Sequence, residues 1–198
     1  AWSLFRDRPQ PRLVRSYLPA PEGTQFDFLG DYAGPPALSP DGARIAFCAR
    51  TNSVTSIWVQ SLETGAASKL DGTEKASDPF WSPDGKFLGF FADSKLKKIP
   101  STGGPATVLA DAPNPRGGTW NKENIILYEP DYRETLWRIN AAGGTPERAT
   151  RIDAAKHTTH RWPSFLPDGK HFIYYATNHA GGSADVNGIY FASLDSDA

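Results

Sequence analysis

Two histidines set three apart, in His157-Thr158-Thr159-His160, are the residues of this chain best placed to do chemistry. On a loop, imidazoles at that spacing can share one metal ion. The spacing supplies no third ligand. Asp153, His171 and His179 are the remaining choices, and none is set by its position. Serine, histidine and aspartate all occur, which is the raw material of acyl transfer. No Gly-x-Ser-x-Gly turn presents a nucleophile, however. The single cysteine, Cys48, lies between Phe47 and Ala49 in an apolar run and reads as core. These patterns give no catalytic set, no metal site beyond the weak pair His157 and His160, and no demand for a cofactor.

A second group of polar residues falls on four linking stretches, 29–35, 71–78, 110–117 and 152–162. It comprises Asp31, Tyr32, Glu74, Lys75, Asp78, Arg116, His157, His160 and Arg161. Loops held on a rigid scaffold often carry function. Mixed charge around a concave mouth suits a peptide or a small polar ligand. The formal net charge of -1 provides no basic footprint for nucleic acid. No window approaches the roughly 20 apolar residues of a spanning helix. Trp2, Leu4 and Phe5 followed by Arg6 read either as the end of an upstream membrane segment or as an arbitrary boundary.

The elements that must position these residues come from a repeat. Leu38-Ser39-Pro40-Asp41-Gly42, Trp81-Ser82-Pro83-Asp84-Gly85, Trp120-Asn121-Lys122-Glu123-Asn124 and Phe165-Leu166-Pro167-Asp168-Gly169 each precede a strand-like run. Aligned on their last residues, the copies are 43, 39 and 45 residues apart. That period matches four-stranded propeller blades. Ile45 and Phe47 match Leu88 and Phe90, Ile126 and Tyr128, and Phe172 and Tyr174; the opposite phase is also largely apolar. Period-two alternation places the two sets on opposite faces. Two apolar faces fit a sheet packed between neighbouring blades.

The reading is therefore an all-β propeller of about four antiparallel, four-stranded blades, cut from a larger ring. Residues 1–12 form an arm or linker and 13–198 the repeats, with blades near 34–70, 79–109, 117–150 and 163–194. The inner strands are expected at Pro36–Ser39, Pro79–Ser82, Gly117–Asn121 and Pro163–Leu166, and the fourth copy stops before its outer strand. The segment Leu13–Leu18 reads as a ring-closing outer strand or as an unpaired arm.

The turn residues have structural work to do. Proline presets φ near -65° at Pro40, Pro83 and Pro167. Asp41, Asp84 and Asp168 can bond their own backbone. Gly42, Gly85 and Gly169 suit the left-handed region. The hydroxyls of Ser39 and Ser82 can cap the turn amides.

The run from Trp81 to Phe90 resembles the W-S-P-D-G-x-x-[I/L]-x-F repeat of TolB-like propellers; the other copies depart at one or more positions. The order of these motifs from about Leu13 onward also resembles the sensor region beyond the membrane helix of bacterial receptor-type serine/threonine kinases. That resemblance implies a non-catalytic, extracytoplasmic module for sensing or protein interaction, tethered through an upstream helix. It implies six or more blades in the complete ring, so open blade edges are expected to pair, for instance between two copies. Prolyl-oligopeptidase-like serine peptidases carry similar propellers, so a substrate-gating role is the alternative. A metal-dependent enzyme using His157 and His160 is the third reading.

Overall fold

The computed structural model describes residues 17–28, 34–179 and 186–195. Among these residues, sixteen strands form four antiparallel sheets in chain order. The first sheet holds β1 (Gln25–Phe26), β2 (Ala37–Leu38), β3 (Arg44–Thr51), β4 (Val54–Ser61) and β5 (Ala67–Lys69). The second holds β6 (Ser77–Trp81), β7 (Phe87–Ala92), β8 (Lys95–Pro100) and β9 (Thr107–Asp111). The third holds β10 (Gly118–Trp120), β11 (Ile125–Tyr128), β12 (Trp137–Asn140) and β13 (Glu147–Arg148). The fourth holds β14 (Thr159–Phe165), β15 (His171–Thr177) and β16 (Gly188–Ser193), with no outer strand among the described residues. In the first blade both β1 and β2 pair with β3, so its inner strand is made of two pieces. The segment Leu13–Leu18 falls largely outside the described residues.

The expected turn chemistry is present. The Ser39 hydroxyl accepts from the Arg44 N–H at 2.9 Å, and the Asp41 carboxylate accepts from the Ala43 N–H at 3.0 Å. Ser82 and Asp84 repeat this with Phe87 and Lys86 at 2.9 and 3.1 Å. In the third blade the single Asn121 side chain does both jobs, accepting from the N–H groups of Glu123 and Ile125. Asn124 there takes φ 62°, the place that Gly42, Gly85 and Gly169 fill elsewhere.

Consecutive sheets bury their facing sides against one another. Ala46, Cys48, Ile57 and Val59 meet Trp81, Leu88 and Phe90 between the first two blades. Phe80, Phe91 and Leu96 meet Trp120, Ile126 and Tyr128 between the second and third. Leu127 and Leu136 meet Phe172 and Tyr174 between the third and fourth. Each Leu, Ile, Val or Phe among them contributes about 1.5–3 kcal/mol when fully buried.

Polar tethers join the same contacts. Arg44 donates to the Gly85 carbonyl at 2.8 Å and lies over the Trp81 ring. Asn121 donates to the Gly169 carbonyl at 2.7 Å. Lys98 reaches the Ala141 carbonyl at 2.7 Å, and Arg138 the Leu194 carbonyl at 3.3 Å.

The blades approach closely at Phe80. A β-carbon on Gly89 would fall 2.3 Å from this ring, and one on Gly118 would fall 2.6 Å from it. The glycines thus form a notch across two blades. Gly89→Ala is expected to destabilise the chain by about 1–3 kcal/mol through overpacking. Urea denaturation checks this, and an unchanged midpoint would show that the Phe80 ring has room to move.

Candidate functional site

The strands nearest the centre carry a recurring irregularity. β6 has a bulge between Ser77 and Phe80, and β14 has one between Arg161 and Ser164. Asp78 and Trp162, three residues before Trp81 and Phe165, take φ 48° and 49°. Gly117 takes φ 89° at the same place before Trp120. A bulge takes a residue out of the ladder and re-aims it. These re-aimed positions also meet across blades. A β-carbon on Gly34 would sit 2.4 Å from Asp78 Cα, so only glycine fits there. The Trp162 N–H donates to the Arg116 carbonyl at 2.9 Å.

The result is a buried cluster of charged side chains on the inner strands and their approaches: Asp78, Arg116, Glu129 and Arg161. Glu129 is wholly buried. Its Oε1 accepts from the Thr159 hydroxyl at 2.6 Å, and its Oε2 has no protein partner. Arg161 donates to Thr159 Oγ1 at 3.4 Å and to the Tyr132 carbonyl at 3.3 Å. Arg116 donates to the Pro115 carbonyl at 2.8 Å. Burial pushes the Glu129 carboxyl up to about 9 against the pull of Thr159, Arg161 and Arg116. Burial likewise pushes Asp78 up to about 7, opposed by Ser77 and Arg116. Desolvation therefore outweighs the nearby guanidinium groups.

A separate cleft of 660 Å³ opens between the first two blades. Its floor is apolar, with Cys48, Ala76, Phe91 and Ala112. Its rim is polar, with Asp27, Thr55, Glu74, Lys75 and Asp93. The hairpins beside it, Asn52–Ser53 and Asp93–Ser94, and Lys75 all hold positive φ on residues other than glycine. The Lys75 N–H donates to the Thr55 carbonyl at 2.7 Å, which holds this loop against the hairpin. Asp93 accepts from Lys97 at 2.9 Å and Lys75 at 3.3 Å, and these two hold its carboxyl below the usual range.

The structure thus divides the residues expected at one mouth. Lys75 lines the cleft. Asp78, Arg116 and Arg161 form the inner cluster with Glu129. Asp31 and Tyr32 lie outside the described residues. Strands β6 and β14 begin at Ser77 and Thr159, so Asp78, His160 and Arg161 are strand residues rather than loop residues. Glu129 was not among the expected site residues. Its signal was a lone acid directly after the buried run Ile126-Leu127-Tyr128.

The two histidines are also buried. His157 Nε2 lies 2.9 Å from the Val186 carbonyl and 3.1 Å from the Tyr190 hydroxyl. His160 Nδ1 lies 2.8 Å from Thr150 Oγ1. Burial first, and then His157, bring the His160 imidazole down to about 4. No group of three or more His, Cys, Asp or Glu side chains among the described residues is arranged to hold a metal ion. Cys48 is buried, its thiol raised to about 12 by burial and then by Asp78 and Asp27. Both facts fit packing roles.

The solved structure of TolB from Acinetobacter baumannii is similar to this chain with a TM-score of 0.66 at 18% identity, covering 82% of this chain and 41% of that one. The fold is that of part of a β-propeller. At that identity the likeness concerns fold alone. Uncharacterized peptidase YuxL of Bacillus subtilis is 31% identical over 90 residues, 39% of this chain and 14% of its own length. Tricorn protease homolog 1 of Streptomyces coelicolor is 28% identical over 119 residues, 56% of this chain and 11% of its own length. The chain matches only a small part of these curated relatives. No family model matches it. Among the described residues no helix is long and apolar enough to cross a membrane.

The raised carboxyls set a pH dependence. The folded chain keeps a proton on Glu129 that the unfolded chain releases near the ordinary carboxylate pKa of about 4.3. Stability from this group is complete below that value and is lost as the pH rises towards about 9. Asp78 acts in the same sense up to about 7, while His160 acts in the opposite sense between about 4 and its unfolded value. Glu129→Gln removes one of these titrations. Its stability relative to the parent chain should rise by up to about 1.4 kcal/mol per pH unit from about pH 5 to 8. Urea unfolding at each pH measures this, and a constant difference would mean that Glu129 is ionised when folded.

Proposed function

We propose that this chain is a non-catalytic binding module that senses a peptide or small polar ligand at the cleft between its first two blades. The observation that carries this reading is the cleft itself, with an apolar floor and a polar rim held on interlocked loops. A peptide can bury apolar side chains on such a floor while the rim orients its polar groups. Asp78 and Arg161 lie on inner strands, Arg116 just before one and Glu129 just after β11, and the role of these buried residues in this reading is to hold neighbouring blades in register. The parent protein is proposed to be an extracytoplasmic, membrane-tethered receptor, with a serine/threonine kinase on the other side of the membrane. An upstream kinase domain and membrane helix in the same reading frame would support it.

A second reading is favoured by the curated matches, both of which carry the name of a peptidase or protease. In it the propeller gates substrate access to a hydrolase domain of the parent. A downstream Gly-x-Ser-x-Gly turn in the same frame would decide for it.

Ligand sensing at the cleft is tested by panning a peptide library on the immobilised chain. Recovered peptides should bind at least tenfold more weakly to the double variant Glu74→Arg/Lys75→Glu, which swaps two rim charges and keeps the net charge. Equal binding to both proteins would remove the cleft as the site.

Signal transfer is proposed to run through the far face of the fourth blade. Ile189 and Phe191 there are 76% and 63% exposed, beside Trp162 and Tyr175, at positions that face a neighbouring blade elsewhere. An apolar face of this kind seeks a cover, here a second copy. Light scattering should show a concentration-dependent dimer that Phe191→Glu abolishes. A monomer at all concentrations would contradict self-association.

A further inference from the structure

A second cavity, of 610 Å³, lies on the outer side between the second and third blades. Four consecutive residues of β9, Val108 to Asp111, border it, where a bulge at Leu109 interrupts the strict alternation of the strand. Strand β9 is the outermost of its sheet and pairs only with β8. Its far edge therefore presents backbone N–H and C=O groups with no strand beside them among the described residues. The opposite wall is built of Trp137, Pro130 and Pro146. Val108 is 56% exposed and offers an aliphatic side chain to the opening.

The charged lining of this groove is all carboxylate, and two of its three acids are already paired with cations at its border. Asp111, Asp131 and Glu134 line it, and no lysine or arginine does. Lys95 reaches Asp111, and Arg148 reaches Glu134 at 3.3 Å, from outside the lining. Asp131 takes its hydrogen bonds from neutral donors, the Asn114 amide at 3.1 Å and the Arg133 backbone N–H at 3.1 Å. This is a different surface from the cleft of the proposed function. The segment 112–115 separates the two, and Pro113 touches both.

We propose that this groove takes an extended peptide segment of a partner protein that carries a lysine or arginine beside apolar side chains. The free edge of β9 supplies the main-chain hydrogen bonds of strand addition. The prolines and the part of Trp137 not covered by Arg148 take the apolar side chain, and Asp131, which has only neutral donors, selects the cation. An unpaired strand edge is a liability in any sheet protein. Here the edge is joined to an apolar trough and a charge that chooses among incoming strands. Like charges brought together at such an interface suppress the wrong partner, so an acidic strand is rejected.

The test uses the whole chain, two peptides and two variants. Acetyl-Val-Lys-Val-Lys-Val-amide is titrated by calorimetry at low salt, beside its glutamate counterpart Val-Glu-Val-Glu-Val. Val108→Lys places a cation at the exposed edge of the groove without touching the core. The lysine peptide should bind saturably and at least about fivefold more tightly than the glutamate peptide. Val108→Lys should weaken it by a similar factor with an unchanged urea midpoint. Glu74→Arg/Lys75→Glu should leave this binding unaltered, which separates the groove from the cleft between the first two blades. Equal binding of both peptides, indifference to Val108→Lys, or no saturable binding of either peptide would each overturn the proposal.

Discussion

Face-to-face burial between consecutive sheets is the constraint on which the rest of this structure depends. The apolar clusters lie between consecutive sheets rather than within any one of them. The core is accordingly a series of layers between blades, and those layers set how the strands are spaced. The Phe80 notch shows how tight the fit is. Gly89 and Gly118 give up side chains on two different blades so that one ring can lie between them. Tethers such as Arg44 to Gly85 and Asn121 to Gly169 then fix the turns of one blade against the next.

This layering explains where polar groups collect. The inner strands converge, so their side chains leave water even when they are charged. Arg116 attracts Asp78 and Glu129, and Arg161 attracts Glu129, but all four are poorly solvated. For the two acids the cost of desolvation exceeds the attraction, which is why their carboxyls rise. Further out, the hairpins and linking loops diverge, and the cleft and the outer groove open between them. The buried cluster is thus suited to holding register, while the outer openings are suited to meeting other molecules. The final face, with Ile189 and Phe191, keeps the character of an inner layer and has nothing against it among the described residues.

Much of the fold was legible in the sequence. The period of the Ser-Pro-Asp-Gly turns, and apolar residues in both phases of the following strands, implied stacked four-stranded blades. The local chemistry of the turns was legible too, because it involves residues within a few positions of one another. Even the irregular third copy was readable, since Asn124 can take the conformation that glycine takes elsewhere. The inner strands were the weakest part of that reading. Ser77-Asp78 and Thr159-His160-Arg161 are polar and resemble linking loop, so strands were expected to start only at Pro79 and Pro163.

The functional surfaces divide along the same line. Sequence alone determined the turns, the repeat and the absence of a Gly-x-Ser-x-Gly nucleophile, because each is a matter of neighbouring residues. Only the tertiary structure decided that His157 and His160 are buried partners of Val186, Tyr190 and Thr150. It also decided that Glu129 joins Arg116 and Arg161, and that the edge of β9 borders an acidic groove. Those outcomes depend on the angle at which one blade meets the next. That angle is set by the sum of many packing contacts between residues far apart in the chain, and no local pattern records it.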